Sequence, residues 1–424
     1  MNQALLAVAV FAAVYLLIAS GRFSNAALAI LGAAALVIMG VLSSEAAFAH
    51  VDLNVILLLA GMMVIAHVVA MTGFFDWAAL VSARLVGGRG LPLLVLLALV
   101  TALGSAFLDN VTTVVLMVPV TLSLASALGL DPVPFLLTEV FASNVGGVTT
   151  LIGDPPNIIV ASVADISFLQ FLVHVGPAGL LALAVLLAVV ALWFRRGLTV
   201  APERRERLLS RRPAEAIRDP RLLRWALGVL GLTIVGFLFH GLLGVEPAFI
   251  ALGGAGLLLV ATPVDTREVL KEVEWPTLSF FVGLFVLVGG LVETGAIDFL
   301  QRLMVDVAGD DPLAMATLLL WGSGLLSGVI DNIPYTATMA QVVAGLTAQG
   351  GQGDPSPLWW ALVLGADLGG NLTLVGASAN VVVVNMAQSR GHPITFMRFL
   401  RYGLVVTPVT LLVSTLFLWL RYYL

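Results

Sequence analysis

Cysteine is absent from the 424 residues, charged residues make up only 11% of them, and Lys271 is the single lysine. Without thiols there are no disulfides and no thiolate ligands, so redox pairing and capture of thiophilic metals are excluded. Without a glycine-rich phosphate loop around Lys271, an intrinsic nucleotide motor is excluded as well. The shortage of charge is the strongest constraint. With 60% hydrophobic residues, too little polar surface remains to clothe a soluble globule of this length, so the solvent is lipid. Any transport must then draw its energy from a gradient or from a partner.

Apolar stretches recur along the whole chain. A spanning helix needs about 20 such residues, which predicts about ten crossings with hydrophobic sequence left over. The formal net charge of -5 says little, because orientation follows the placement of basic residues rather than their sum. Arg195, Arg196, Arg204, Arg205, Arg207, Arg211, Arg212, Arg218, Arg221 and Arg224 crowd one polar segment between apolar runs, which places that segment in the cytoplasm. With the spans below, Arg22, Arg84, Arg89, Arg267, Lys271, Arg390, Arg398 and Arg401 fall on the same side, and only Arg302 and Arg421 on the other. Both termini then face outward. The first apolar run, Leu5 to Ile18, lacks a basic leader and reads as a retained span, a cleaved signal being the alternative.

The chain is duplicated. Asp52 corresponds to Glu274, Thr72-Gly73 to Thr294-Gly295, Asp76 to Asp298, and Ser105 with Asp109-Asn110 to Ser327 with Asp331-Asn332, all at an offset of 222. One residue later in register, at 223, Gly146-Gly147 corresponds to Gly369-Gly370, Thr150 to Thr373, Gly153 to Gly376 and Asn157 to Asn380. Hydrophobic periodicity matches Leu to Val by chance, but not an ordered set of Asp, Asn, Gly and Thr. The predicted domains are therefore residues 1–194 as one repeat, 195–221 as an arginine-rich linker, and 222–424 as the second repeat.

Each half reads as three plain spans, an apolar hairpin, a broken span and a final plain span. In the first these are Leu5 to Ile18, Ala26 to Leu42, Leu53 to Met71, the hairpin Leu91 to Leu128, Phe135 to Leu172 and Pro177 to Phe194. In the second they are Leu222 to His240, Ala248 to Thr262, Trp275 to Val292, the hairpin Pro312 to Leu346, Leu358 to Met386 and Gly403 to Leu420. Five crossings per half is an odd number, so the second copy enters from the opposite face. The expected fold is an all-α polytopic membrane protein of two inverted-topology repeats, with two re-entrant hairpins and broken helices of the kind used for alternating access. A model of twelve full spans without re-entry is the alternative.

The hairpin turns carry the expensive residues. SAFLDNVTTVVLMVP sets Asp109, Asn110, Thr112 and Thr113 between two apolar arms, and SGVIDNIPYTATM does the same with Asp331, Asn332, Thr336 and Thr338. A carboxylate at membrane depth costs at least about 2.5 kcal/mol on insertion scales, and persists mainly where it pairs, faces a cavity or binds an ion. Two readings stand side by side. Asp-Asn caps the helix of the second arm, or the two tips form one substrate and coupling-ion site, with either Asp carrying a proton. The broken spans, SNVGGVTTLIGDPPNIIV and ADLGGNLTLVGASANVVVV, interrupt helices with Gly, Pro and small polar residues. Unwound backbone is tolerated in lipid only where protein or a wet cavity satisfies it, so Asn144, Thr149, Thr150, Asp154, Asn157, Thr373, Ser378 and Asn380 are expected to line the site. The glycine pairs serve either close backbone approach or plain helix packing. Asp154 stands opposite Ala377 and Asp367 opposite Asn144, so the acids beyond the tips are not symmetric. Glu139 and His67, matching Leu362 and Gly289, are a candidate proton carrier and a packing histidine. Pro213 to Pro220, PAEAIRDP, is expected to begin a short surface helix.

GDPPN after GG-x-x-T-x-I, with LDNVTT and IDNIPYTATM, resembles the ion transporter superfamily over nearly the whole chain, specifically its ArsB/NhaD/P-protein branch. MTGFFDWAALVSARLVGGRG and GGNLTLVGASANVVVV look like the P-protein group, and the PAEAIRDP linker like the ArsB arsenite permeases. The resemblance implies a homodimer, a scaffold with a moving region that holds both hairpins, and elevator-like alternating access. Related dicarboxylate carriers have Ser-Asn-Thr at the tips, whereas this chain has Asp109-Asn110-Val111 and Asp331-Asn332-Ile333. That departure disfavours sodium-coupled dicarboxylate transport and suits proton coupling. The resulting expectation is a non-enzymatic, proton-coupled exporter of arsenite or antimonite in the inner membrane, moving neutral As(OH)3-like solutes. The alternatives are a sodium/proton antiporter and an anion-conducting channel. No cofactor, resident metal or nucleic acid is expected, and a cytoplasmic ATPase subunit is a conceivable partner.

Overall fold

The computed structural model describes residues 3–19, 22–210, 212–309, 311–348 and 355–424, so Arg211 of the predicted basic cluster lies outside the described residues. Every regular element among them is helical. The surface explains why. Leu16, Ile38, Leu242 and Val260 are all more than 70% exposed, an arrangement that is costly in water and free in hydrocarbon, where each backbone polar group must instead be satisfied inside its own helix.

The helix boundaries repeat at the offset read from the sequence. Ser44–Ala49 is matched by Thr266–Lys271, Leu53–Met71 by Trp275–Glu293 and Asn110–Leu128 by Asn332–Thr347, each start displaced by the same 222 residues. Past the inserted residue, Pro155–Val163 is matched by Ser378–Ser389. Packing between the halves is reciprocal too. Gly61 lies so close to Ala251 that a Cβ on it would sit 2.7 Å from the Ala251 carbonyl carbon, and its equivalent Gly283 meets Ala29 at 2.5 Å. The third span of each repeat thus packs on the second span of the other, which welds a frame across the two halves. Inside that frame the trailing hairpin arm Asn110–Leu128 lies against Ser378–Ser389, and Asn332–Thr347 against Pro155–Val163. The broken spans are in effect exchanged between the hairpins.

By length and composition, seven helices among the described residues are able to cross a bilayer: Leu53–Met71, Gly90–Leu108, Asn110–Leu128, Gly176–Phe194, Pro220–Leu243, Trp275–Glu293 and Phe396–Tyr422. Gln3–Ile18, Asn25–Ile38, Pro247–Ala261 and Pro312–Ser327 are apolar but shorter. Both arms of the first hairpin have 19 residues, about 28 Å of helix, so arm length alone does not distinguish re-entry from crossing.

Several elements differ from the sequence reading. The first broken span contains a second break, where Pro155–Val163 meets Phe168–His174 at 114°. The last span is one continuous helix, Phe396–Tyr422, longer than its expected Gly403 to Leu420. Amphipathic helices Phe74–Leu85 and Ala296–Ala308 lead into the hairpins, which periodicity submerged in apolar text had hidden. PAEAIRDP makes only a four-residue 3-10 turn, Pro213–Ala216, because Pro213 and Pro220 bracket too short a stretch for an α-helix; the surface helix of the linker is Pro202–Leu209. After that turn the chain is pinned. The Arg218 N–H donates to the Thr72 carbonyl at 2.9 Å, its guanidinium lies 3.8 Å from Asp76, and Gly73, at φ 80°, leaves room for the Ala216 carbonyl where a Cβ would clash. Asp219 then caps Pro220–Leu243, accepting the N–H groups of Arg221 and Leu222, which hold its carboxyl below the ordinary range.

Candidate substrate and ion site

Both hairpin turns are helix caps, built differently. Asp109 holds φ 79° and accepts the Thr112 N–H at 2.9 Å. Asp331 has φ -49°, accepts the Ile333 N–H at 3.1 Å and receives a second bond from the Ser378 hydroxyl at 3.0 Å. A non-glycine residue at positive φ stores about 1–3 kcal/mol, so the first tip is the strained one.

The two tips converge on one carboxylate. Asp154 Oδ2 accepts from the Asn110 amide at 2.8 Å and from the Asn332 amide at 3.4 Å, and only 1% of the residue is exposed. Asp154 sits there because the helix of the first broken span stops after Gly147 and resumes at Pro155, where the proline ring suits a first helical position. Behind it an amide chain runs across the halves. Asn110 reaches Asn144 at 3.4 Å, and Asn144 donates to Asn371 at 2.9 Å and to Asn380 at 3.0 Å.

Beside this network lies a cavity of about 270 Å³, walled by Asp109, Asn110, Asp154, Asn332 and Ser378 together with Glu274, Thr277, Leu59 and Met63. An adjoining cavity of about 340 Å³ shares Met63 and Glu274 and runs past His67 and Thr112 to Arg218 of the linker. On the linker side the chamber is thus bordered by a second cavity across Met63 and Glu274. The inner chamber carries three carboxylates and no Lys, Arg or His. The dry walls strengthen every charge inside, so the chamber attracts protons, cations and neutral hydroxyl donors and repels free anions.

The remaining expected residues serve other tasks. Thr150 donates to the Ala106 carbonyl and Thr373 to the Gly328 carbonyl at 2.6 Å. Asn157 donates to the carbonyls of Gly147 and Thr150 at 3.0 and 2.9 Å, and Asn380 to those of Gly370 and Thr373 at 2.8 and 2.9 Å. Asn157 and Asn380 thus brace the breaks of their own spans, and Thr150 and Thr373 tie those breaks to the ends of the leading hairpin arms of their own repeats, satisfying carbonyls that have no helical partner. Thr149 bonds the Gly146 carbonyl at 2.6 Å. Thr113 and Thr336 are fully buried away from the chamber, their hydroxyls without a hydrogen-bond partner. Asp367 is fully buried with neither oxygen in a well-formed hydrogen bond, the Asn157 side chain is its polar neighbour, and it shares the interior with Asp154. Glu139 accepts the Thr121 hydroxyl at 2.5 Å.

The sequence reading passed over Glu274, Thr277 and Asn371. For Glu274 a signal was present, since Asp52 and Glu274 form one of the repeated acidic pairs, each just before a third span. Asn371 has no polar counterpart in the other repeat, where the position is Val148, so the duplication gave no pointer to it.

Comparison with known proteins agrees with this architecture. The profile of the family described as "Citrate transporter", CitMHS, matches residues 15–365. An uncharacterized transporter of Mycobacterium tuberculosis is 46% identical over 99% of both chains. The P protein of Homo sapiens is 33% identical over 98% of this chain, which spans 60% of that relative. Among solved structures, the YdaH transporter of Alcanivorax borkumensis superposes with a TM-score of 0.63 at 14% identity, covering 100% of this chain and 99% of the other.

Proposed function

The chain belongs to the citrate transporter family CitMHS, and from that premise we propose that it is a proton-coupled exporter of arsenite or antimonite. It is a multi-pass membrane transporter and not an enzyme. The observation that carries the finer reading is the acid-lined, base-free chamber at the meeting point of the two tips. A free citrate anion would meet Asp109, Asp154 and Glu274 there with no cation to receive it, and would enter only with its charge cancelled. An uncharged trihydroxy solute has no such penalty. It donates to the carboxylates and to the Asn110 and Asn332 carbonyl oxygens, and needs no thiol.

The same geometry supports proton coupling. Asp154 holds both tips through its carboxylate, so protonation weakens the two amide bonds and loosens the tips, while solute and proton compete for one set of oxygens. In this reading the two hairpins and broken spans move as one body against the cross-welded frame, in elevator fashion. The protein lies in the inner membrane, with its linker in the cytoplasm and both termini outside. It works as a homodimer, and an ATPase subunit would dock on the linker. The number of carboxylates favours a second reading, sodium/proton exchange at the same chamber. An anion channel is disfavoured by the sign of the lining.

Proteoliposomes decide among these. With a proton gradient imposed, arsenite should accumulate against its own gradient, and sodium, chloride and citrate should not. Collapse of the proton gradient by sodium, with no arsenite accumulation, would replace the first reading by the second.

A further inference from the structure

The two repeats are equal in sequence pattern and unequal in what they touch. In the first, the frame residue Asp52 caps Leu53–Met71 with one oxygen, accepting the Val55 N–H at 3.1 Å, and with the other accepts the hydroxyl of Ser162 at the end of the broken span. The helix Pro155–Val163 packs on Leu53–Met71 accordingly. In the second repeat the equivalents are Glu274 and Asn385, and among the described residues no hydrogen bond joins them. Glu274 instead accepts from Thr277 at 2.9 Å and faces the chamber opposite Asp109 of the other repeat, while Asn385 is exposed one turn beyond the chamber residue Val382. Ser378–Ser389 has no packing on Trp275–Glu293 comparable to that of its counterpart.

We propose that Asp52 and Glu274 are the two frame carboxylates that take turns at the site. Whichever is released from the broken span of its own repeat faces the hairpin tip of the other and exchanges protons or cations with the chamber. The structure captures one half of the cycle, with Asp52 latched to Ser162 and Glu274 serving Asp109. Exchanging the repeats gives the other half, with Glu274 latched to Asn385 and Asp52 facing Asp331 on the side away from the linker. The inference rests on the alternating-access reading above, but not on the identity of the solute.

The native chain has no cysteine, so engineered pairs report without background. Under mild oxidation of the purified, reconstituted protein, the pair Asp52→Cys with Ser162→Cys is expected to form a disulfide, and so is Glu274→Cys with Asn385→Cys. Bridging of the first pair alone, or of the second alone, overturns the proposal. A second measurement covers the chance that a double variant folds poorly. Val382→Cys, labelled by a bulky thiol reagent from the linker side, should lose labelling about tenfold when Asp52→Ala removes the latch of the linker-open state, and should keep or gain labelling with Glu274→Ala. Equal effects of the two alanines overturn it. Both readouts need no substrate, so failure of arsenite transport with both pairs bridging would sink the proposed function and leave this inference standing.

Discussion

Two hairpin tips with the same Asp-Asn sequence end up in different chemistry, and the difference comes from the broken spans that meet them. Asp331 receives the Ser378 hydroxyl, whereas the residue equivalent to Ser378 is Pro155, which has no donor to offer Asp109. Asp154 joins the tips, whereas its equivalent is Ala377. Asn144 carries amide bonds across the halves, whereas its equivalent is the fully buried carboxyl Asp367. Duplication supplies a symmetric scaffold, and a handful of differences along the broken spans turns one tip into a fixed cap and the other into a strained, chamber-facing acid. Symmetry in this fold sets the frame, and local asymmetry sets what surrounds each tip.

The comparison is most severely tested at Asp154. Asp154→Asn removes the carboxyl that both amides share, at 2.8 and 3.4 Å, and with it the titratable group between the tips, so proton-driven uptake into proteoliposomes should fall about a hundredfold or more. The tips should then part company. Asp109→Asn is expected to cut uptake by about tenfold or more and Asp331→Asn by less than about threefold, since the latter acid is already committed to Ser378 and Ile333. Equal losses at the two tips would mean that the asymmetry has no functional weight. The frame, by contrast, should respond symmetrically. Gly61→Leu and Gly283→Leu each force a side chain into the Ala251 or Ala29 backbone and should each cost about 1–3 kcal/mol, seen as similar drops in Tm. The smallest effect is expected at Asp367→Asn, which restores the residue type of its counterpart. The amide keeps an oxygen for contact with the neighbouring Asn157 and removes a buried ionisable group, so stability should rise by about 1 kcal/mol. A drop in stability there would show that the acid itself is held by its neighbours.

Much of the fold was readable in one dimension, for a physical reason. A carboxylate or an amide in lipid is too costly to drift, so the repeated Asp, Asn, Gly and Thr kept their register, and the helix starts Leu53 and Trp275 or Asn110 and Asn332 fall on the offset they predicted. Helix breaks at Gly146-Gly147 and Gly369-Gly370 were readable for the same reason. Direction was not. Thr150, Asn157, Thr373 and Asn380 have the composition of ligands, and they spend their donors on carbonyls of the breaks and of the hairpin arms beside them; a sequence carries no information on which way a side chain leaves a segment without periodicity. Glu274 was missed because an acid at the start of a span looks interfacial until the fold brings it against a tip from the other half. The amphipathic helices Phe74–Leu85 and Ala296–Ala308 escaped because their polar faces are short beside the apolar runs around them.

Proton movement during turnover bears most directly on the claim that the two tips and Asp154 form one proton-coupled site. In proteoliposomes loaded with a pH-sensitive dye, an outward arsenite gradient is predicted to drive protons in the opposite direction through the native protein, and to leave the internal pH unchanged with Asp154→Asn. Arsenite movement without any proton flux in the native protein, or a full proton flux in the variant, would contradict the account.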